Sequence, residues 1–212
     1  MVNGSAPAPP SCDTGASHTA GPATAVRTEH TVSGPTPTTP TAAAAPAGVR
    51  IVREVHWPRS PGQVPPPLTG FTVSSFNPLV AVAAEWCLRD RPRPPSAHRT
   101  ALLLASHSGD QGTIRAISAA VAAGRQVPPL LFFQSNPNAV LGHVAARWGL
   151  TGPVVAVSRP DRTIGLTREV LAEAALLLRD GDADEVLVIV AEQGRTAEEP
   201  DQAVAALVVL HS

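Results

Sequence analysis

The sequence predicts an α/β fold, a mixed sheet with helices on its faces, and three observations carry that expectation. Thr100 to Ser106 is an unbroken apolar run of the kind that marks a strand covered on both faces. Similar short runs recur at Val154 to Val157, Glu185 to Val190 and Ala203 to Leu210. Between them lie amphipathic patterns with helical spacing, and strands alternating with helices of about 10 to 15 residues are the signature of such a sheet.

Composition divides the 212 residues near position 48. Residues 1–48 are almost entirely Ala, Pro, Thr, Ser and Gly, too poor in large apolar side chains to offset the entropy of ordering, so a disordered tail is expected there. The tail lacks the basic start and the apolar core of about 7 to 15 residues that a secretory signal needs. Residues 49–212 have the usual size of a single domain. A formal net charge of −1 without a basic cluster argues against nucleic acid and against a membrane surface. Two cysteines, Cys12 and Cys87, make no disulfide framework and fit a reducing cytosol, so a cytoplasmic location is expected.

Arg50 to Trp57 alternates apolar and polar residues, which reads as an edge strand. Pro58 to Pro67 holds five prolines in ten positions, which rules out regular structure and leaves a surface arm. A helix follows over Leu79 to Leu88, with Asn77 as its N-cap and Leu79, Val82, Ala83 and Trp86 on one face. The Arg-Pro-rich stretch 89–96 ends it. After the strand at Thr100, a polar turn from His107 to Gly112 leads to a helix over Thr113 to Ala123, with Ile114, Ile117, Ala120 and Val121 as its buried stripe. Leu130 to Phe133 reads as a short extended piece. Then come a helix at Asn138 to Trp148, a strand at Val154 to Val157, a helix at Leu166 to Arg179, and the strands at Glu185 to Val190 and Ala203 to Leu210.

Within this pattern, Pro137, Asn138, Ala139, Gly142 and Ala145 form a PNA-x-x-G-x-x-A helix, and Gly149, Leu150, Gly152 and Pro153 a GL-x-GP turn into a strand. Gly181, Ala183 and Asp184 supply a G-x-A-D turn before a further strand. These motifs resemble the segment of a β-ketoacyl synthase that leads into and out of the catalytic cysteine. The cysteine is missing. Reading on from Val157 and Ser158, the residue in register with the nucleophile is Asp161, followed by Arg162 and Thr163 where the family has small residues. No shift of register brings in a cysteine, since the chain has only Cys12 and Cys87.

The resemblance implies the N-terminal half of a thiolase-like fold, without the second half whose two histidine motifs drive malonyl decarboxylation. It implies that Val154, Val155, Ala156, Val157 and Ser158 form the dimer strand that pairs across a two-fold axis. A chain that keeps this strand and loses the nucleophile reads as a non-catalytic accessory subunit of a type II polyketide or fatty acid complex. Its expected partners are a ketosynthase, a chain length factor or both, in a homo- or hetero-oligomer, with an acyl carrier protein as a further partner. The alternative is a small enzyme acting on acyl carrier protein- or coenzyme A-bound intermediates with Asp161 as acid or base.

Four residues are candidates for chemistry. Condensation needs a thiolate that can hold an acyl thioester, and a carboxylate at Asp161 cannot replace it. Chain length factors usually carry glutamine there, so Asp161 departs from that pattern too. It reads either as a structural or helix-N-terminal carboxylate, favoured there by the macrodipole, or as a participant in chemistry. His107 and Asp110 follow the first core strand, at the end of a parallel strand where α/β proteins bind ligands, although the family's loop there is structural. His143 lies on the PNA helix, where a lone histidine is more often packed than catalytic. No dinucleotide, P-loop, serine hydrolase, zinc protease or C-x-x-C motif occurs, and seven scattered histidines have no paired spacing, so no cofactor and no metal are expected.

Overall fold

Two runs with no polar interruption, ALLLA and VLVIVA, set the middle of the molecule. The computed structural model describes residues 48–91, 97–196 and 198–211. There these runs form strands β2 (Thr100–Ser106) and β4 (Glu185–Glu192), every residue of both being buried. They pair in parallel, with Leu102 opposite Leu187 and Leu104 opposite Ile189. Outside them lie β3 (Val154–Ser158), parallel to β2, and β5 (Gln202–Leu210), antiparallel to β4. Strand β1 (Val49–Trp57) runs antiparallel to β5, giving a five-stranded mixed sheet of order β1-β5-β4-β2-β3.

Alternation along the strands decides which helix covers which face. Leu102, Leu104, Leu187, Ile189, Ala205 and Leu207 point to one side, where α1 (Phe76–Leu88) and α4 (Pro137–Trp148) pack on them through Leu79, Val80, Ala83, Val140, Leu141 and Val144. Ala101, Leu103, Val186, Val188, Val190 and Ala206 point to the other side and meet Val170, Leu171, Ala174 and Leu178 of α5 (Arg168–Arg179). The result is three layers with the sheet in the middle.

Five expectations are corrected. The N-cap of α1 is Ser75, and Asn77 lies inside the helix, buried, donating to Asp110 and to the Gln134 carbonyl. Leu130 to Phe133 is helical: α3 (Pro129–Ser135) starts on a proline whose fixed φ suits a first turn, so the preceding proline pair opens a helix instead of an extended run. The helix following β2, α2 (Gln111–Ala122), begins at Asp110, whose carboxylate accepts from Thr113 N at 2.9 Å. Of its expected buried stripe only Ala120 is buried: Ile114 and Val121 are exposed, and Thr113 is buried instead. Helix α5 starts at Arg168, two residues later than expected. The expected tail and most of the Arg-Pro-rich stretch (residues 1–47 and 92–96) lie outside the described residues.

The GL-x-GP turn has a steric cause. Gly149 ends α4 in the left-handed region, at φ 64°, where a side chain is disfavoured. Gly152 then passes so close to β2 that its N–H donates to the Thr100 carbonyl at 3.1 Å, while Leu102 N donates to Pro153 O at 2.8 Å. A Cβ added at Gly152 would sit 2.6 Å from Thr100 C and O and from Ala101 N, all backbone atoms of a central strand that cannot swing aside. Gly152→Ala should therefore lower stability by about 2 kcal/mol or more, at the upper end of what overpacking costs. Urea unfolding followed by circular dichroism checks this, and Gly142→Ala, where a Cβ meets nothing within 4 Å, serves as the matched control.

Candidate functional site

The carboxyl ends of β2, β3 and β4 converge, and the last residue of β4 is charged. Glu192 is 3 % exposed, at the end of a run that is otherwise apolar from Val186. A carboxylate so placed has lost its water and needs donors in return. Oε1 accepts from Ser106 Oγ at 3.1 Å and from the backbone N–H of His107, and Oε2 accepts from Ser108 Oγ. The Nη1 of Arg162 lies 3.4 Å from Oε2 and supplies the counter-charge. Next to it, Gln193 accepts from Gly112 N at 3.0 Å and donates to Ser74 Oγ and Ser75 Oγ at 3.1 and 2.9 Å. The two residues thereby tie the starts of α1 and α2 and the loop after β3 to the end of β4.

His107 and Asp110 both belong to this end of the sheet, but in different roles. The Nδ1 of His107 lies 3.0 Å from the carbonyl oxygen of Arg159. A carbonyl can only accept, so Nδ1 carries a proton and donates to it. The imidazole borders a cavity of about 190 Å3 walled by Phe76, Leu104, Pro137, Ala156 and Ser158. Asp110 is buried beneath it, occupied by Thr113 N, Thr113 Oγ1 at 2.7 Å and Asn77 Nδ2 at 3.0 Å. All these bonds build the start of α2 and its joint with α1. His143 lies elsewhere, on α4, with its ring edge-on to Phe71 at 6.1 Å.

Asp161 sits in the loop between β3 and α5 with its side chain 60 % exposed. The helix begins seven residues later, so the macrodipole does not reach it, and the reading as a helix-N-terminal carboxylate is corrected. Oδ1 instead accepts from Thr163 N at 2.9 Å, closing a local turn, and Arg159 Nη2 lies 3.7 Å away. The Thr163 N–H, then its hydroxyl, then Arg159 and His107 hold the carboxyl below the usual carboxylate range. Such a group stays ionised at neutral pH and is a poor proton donor, which weighs against a role as general acid.

Sequence reading missed Glu192, Gln193 and Arg162. The signal for the first was available, since a charge that ends an otherwise fully apolar strand asks for a partner. Nothing in spacing marks Arg162 as that partner. Among the described residues no cluster of three His, Cys, Asp or Glu side chains is placed to hold a metal ion. No helix among them is long and apolar enough to cross a membrane.

The one described cysteine, Cys87, lies on α1, fully buried among the sheet-facing side chains, and burial pushes its thiol up to about 12. In a Cys12→Ser variant, iodoacetamide at pH 8 should label the native protein at least about a hundredfold more slowly than the guanidinium-unfolded chain, because the thiolate is the reactive form. Comparable rates would show an accessible thiol.

Comparison with known proteins follows this geometry. The family model described as "Beta-ketoacyl synthase, N-terminal domain" matches residues 74–200. A search of curated protein sequences finds no match. Among solved structures, the chain is similar to one from a ketosynthase (ApeO) in complex with its chain length factor (ApeC) from Xenorhabdus doucetiae, with a TM-score of 0.59 and 16 % identity over 78 % of this chain and 80 % of that one. It is also similar to a β-ketoacyl synthase from Burkholderia phymatum STM815, with a TM-score of 0.55 and 17 % identity over 71 % of this chain and 47 % of that one. At such identities the likeness is one of fold, and this chain spans about half the length of the second protein.

Proposed function

The chain belongs to the β-ketoacyl synthase N-terminal domain family, and from that premise we propose that it is a non-condensing subunit that pairs with a ketosynthase-type partner in polyketide or fatty acid synthesis. The observation that carries this reading is the state of β3. It is a sheet edge, hydrogen-bonded among the described residues to β2 alone, with Val154 exposed. An open edge with apolar residues is a template for another strand and a liability when left bare.

Two further features support the same reading. The position in register with the family's nucleophile holds Asp161, an exposed and locally bonded carboxylate that can carry no thioester. Helices α2 and α3 leave Ile114, Val121, Leu130, Phe132 and Phe133 exposed, which is unusual for amphipathic helices of a lone domain and fits a covered surface. The solved ketosynthase and chain length factor pair contains a chain of about this length with this fold. An acyl carrier protein is a further partner under this proposal.

The backbone at the edge makes a specific test available. Pro153 O and Arg159 N bond to β2, so by the even spacing of a parallel ladder Val155 and Val157 face β2 as well. The N–H of Ala156 therefore points to the open side. Ala156→Pro removes an outward donor without breaking a bond to β2. In light scattering coupled to size exclusion, the wild-type chain should run as a pair, with itself or with a ketosynthase from the same gene neighbourhood. Ala156→Pro should weaken pairing at least about tenfold while keeping its circular dichroism. A wild-type chain that stays monomeric with such a ketosynthase present would overturn the proposal.

A further inference from the structure

Arg162 stands in the loop between β3 and α5, and its guanidinium reaches back across the end of the sheet to two other segments. Nη1 donates to Ser108 Oγ at 2.8 Å, in the loop after β2. Nη2 donates to the carbonyl of Gln193, just past β4, and lies 3.9 Å from Glu199 Oε1. Nη1 is also 3.4 Å from Glu192 Oε2, and among the described residues Arg162 is the one cation within ion-pair distance of that buried carboxylate. Arg159, the neighbouring cation, is engaged elsewhere, with the Thr163 carbonyl and Asp161.

We infer that Arg162 is a positioning residue, a guanidinium pin that holds the 159–167 loop against Glu192, Ser108 and Gln193 and so presets the end of the sheet beside its open edge. Two consequences of the side chain are separable. One is neutralisation, which requires only that Glu192 not be left charged and unpaired. The other is attachment, which requires the planar fork with donors aimed at separate acceptors on separate segments. Ser108 and the Gln193 carbonyl are neutral, so their bonds to Arg162 persist when the charge on residue 192 is removed. Among the described residues the loop carries no other link of this kind to β4: Asp161 and Thr163 bond within the loop itself, and Arg159 N bonds to Ser106 on β2.

Hydrogen exchange of the full-length chain, read by mass spectrometry on peptides spanning 159–167, tests this with four proteins: wild type, Arg162→Met, Glu192→Gln and the double variant. Methionine keeps much of the stem's packing and removes every donor. The expected result is protection of the loop in wild type and in Glu192→Gln, and exchange at least about tenfold faster in Arg162→Met. In the double variant the melting temperature should recover most of what Arg162→Met loses, because no charge remains buried alone, while the loop stays fast. Peptides from β2 and β4 should be unchanged in the double variant, and should Arg162→Met alone fail to fold, that variant against Glu192→Gln carries the test. A loop already unprotected in wild type, one unaffected by Arg162→Met, or one whose protection returns with stability in the double variant would overturn the assignment. All four proteins are measured without a partner, so the outcome is separate from that of the pairing experiment.

Discussion

A carboxylate cut off from water is tolerated only where donors and a counter-charge surround it, and Glu192 places one at the end of the central strand. Its position dictates much of what surrounds it. Ser106, His107 and Ser108 turn toward it, which fixes the path from β2 to α2, and Arg162 folds back toward it, which fixes the path from β3 to α5. Burial sets this pair, and that of Arg91 with Glu185 at the start of β4, apart from the exposed pairs. Removing one partner of a buried ion pair costs about 3 to 5 kcal/mol, whereas an exposed pair such as Arg89 with Glu85 contributes at most about 1 kcal/mol. The charges at the sheet's end are therefore structural before they are anything else.

The same arrangement fits the proposed non-condensing role. By the sequence resemblance, the turn after β3 is where the family keeps its nucleophile. Here that turn is closed by side chains on its own backbone, Asp161 accepting from Thr163 N and Arg159 donating to the Thr163 carbonyl, while Arg162 reaches the hub at Glu192. The only thiol among the described residues is sealed inside α1's packing. The strand leading to the turn keeps its pairing to β2, and its outer edge pairs with no strand among the described residues.

Much of the fold was legible in the sequence because its determinants are local or periodic. Four core runs became four strands, the Gly149 and Gly152 turn followed from a steric limit, and Gly181 to Asp184 marked the start of β4, where Asp184 accepts from Arg99 N at 2.7 Å. What was not legible depends on partners distant in sequence. Asn77 looked like a cap and proved to be a buried link to Asp110 and Gln134. The stripe on α2 was correctly apolar, but the core covers only Ala120 of it and leaves Ile114 and Val121 exposed, since periodicity says which face is apolar and not what meets it. Arg162 and Glu192 are 30 positions apart on different elements, and only the topology brings them together.

The central claim, that this fold acts beside a condensing enzyme and not as one, is tested most directly by intact-mass spectrometry after incubation with an acyl carrier protein thioester. The position in register with the family's nucleophile is an ionised, exposed carboxylate and the described thiol is buried, so the chain should keep its unmodified mass while a ketosynthase in the same tube gains the acyl group. A stable adduct of the acyl mass on this chain would contradict the account.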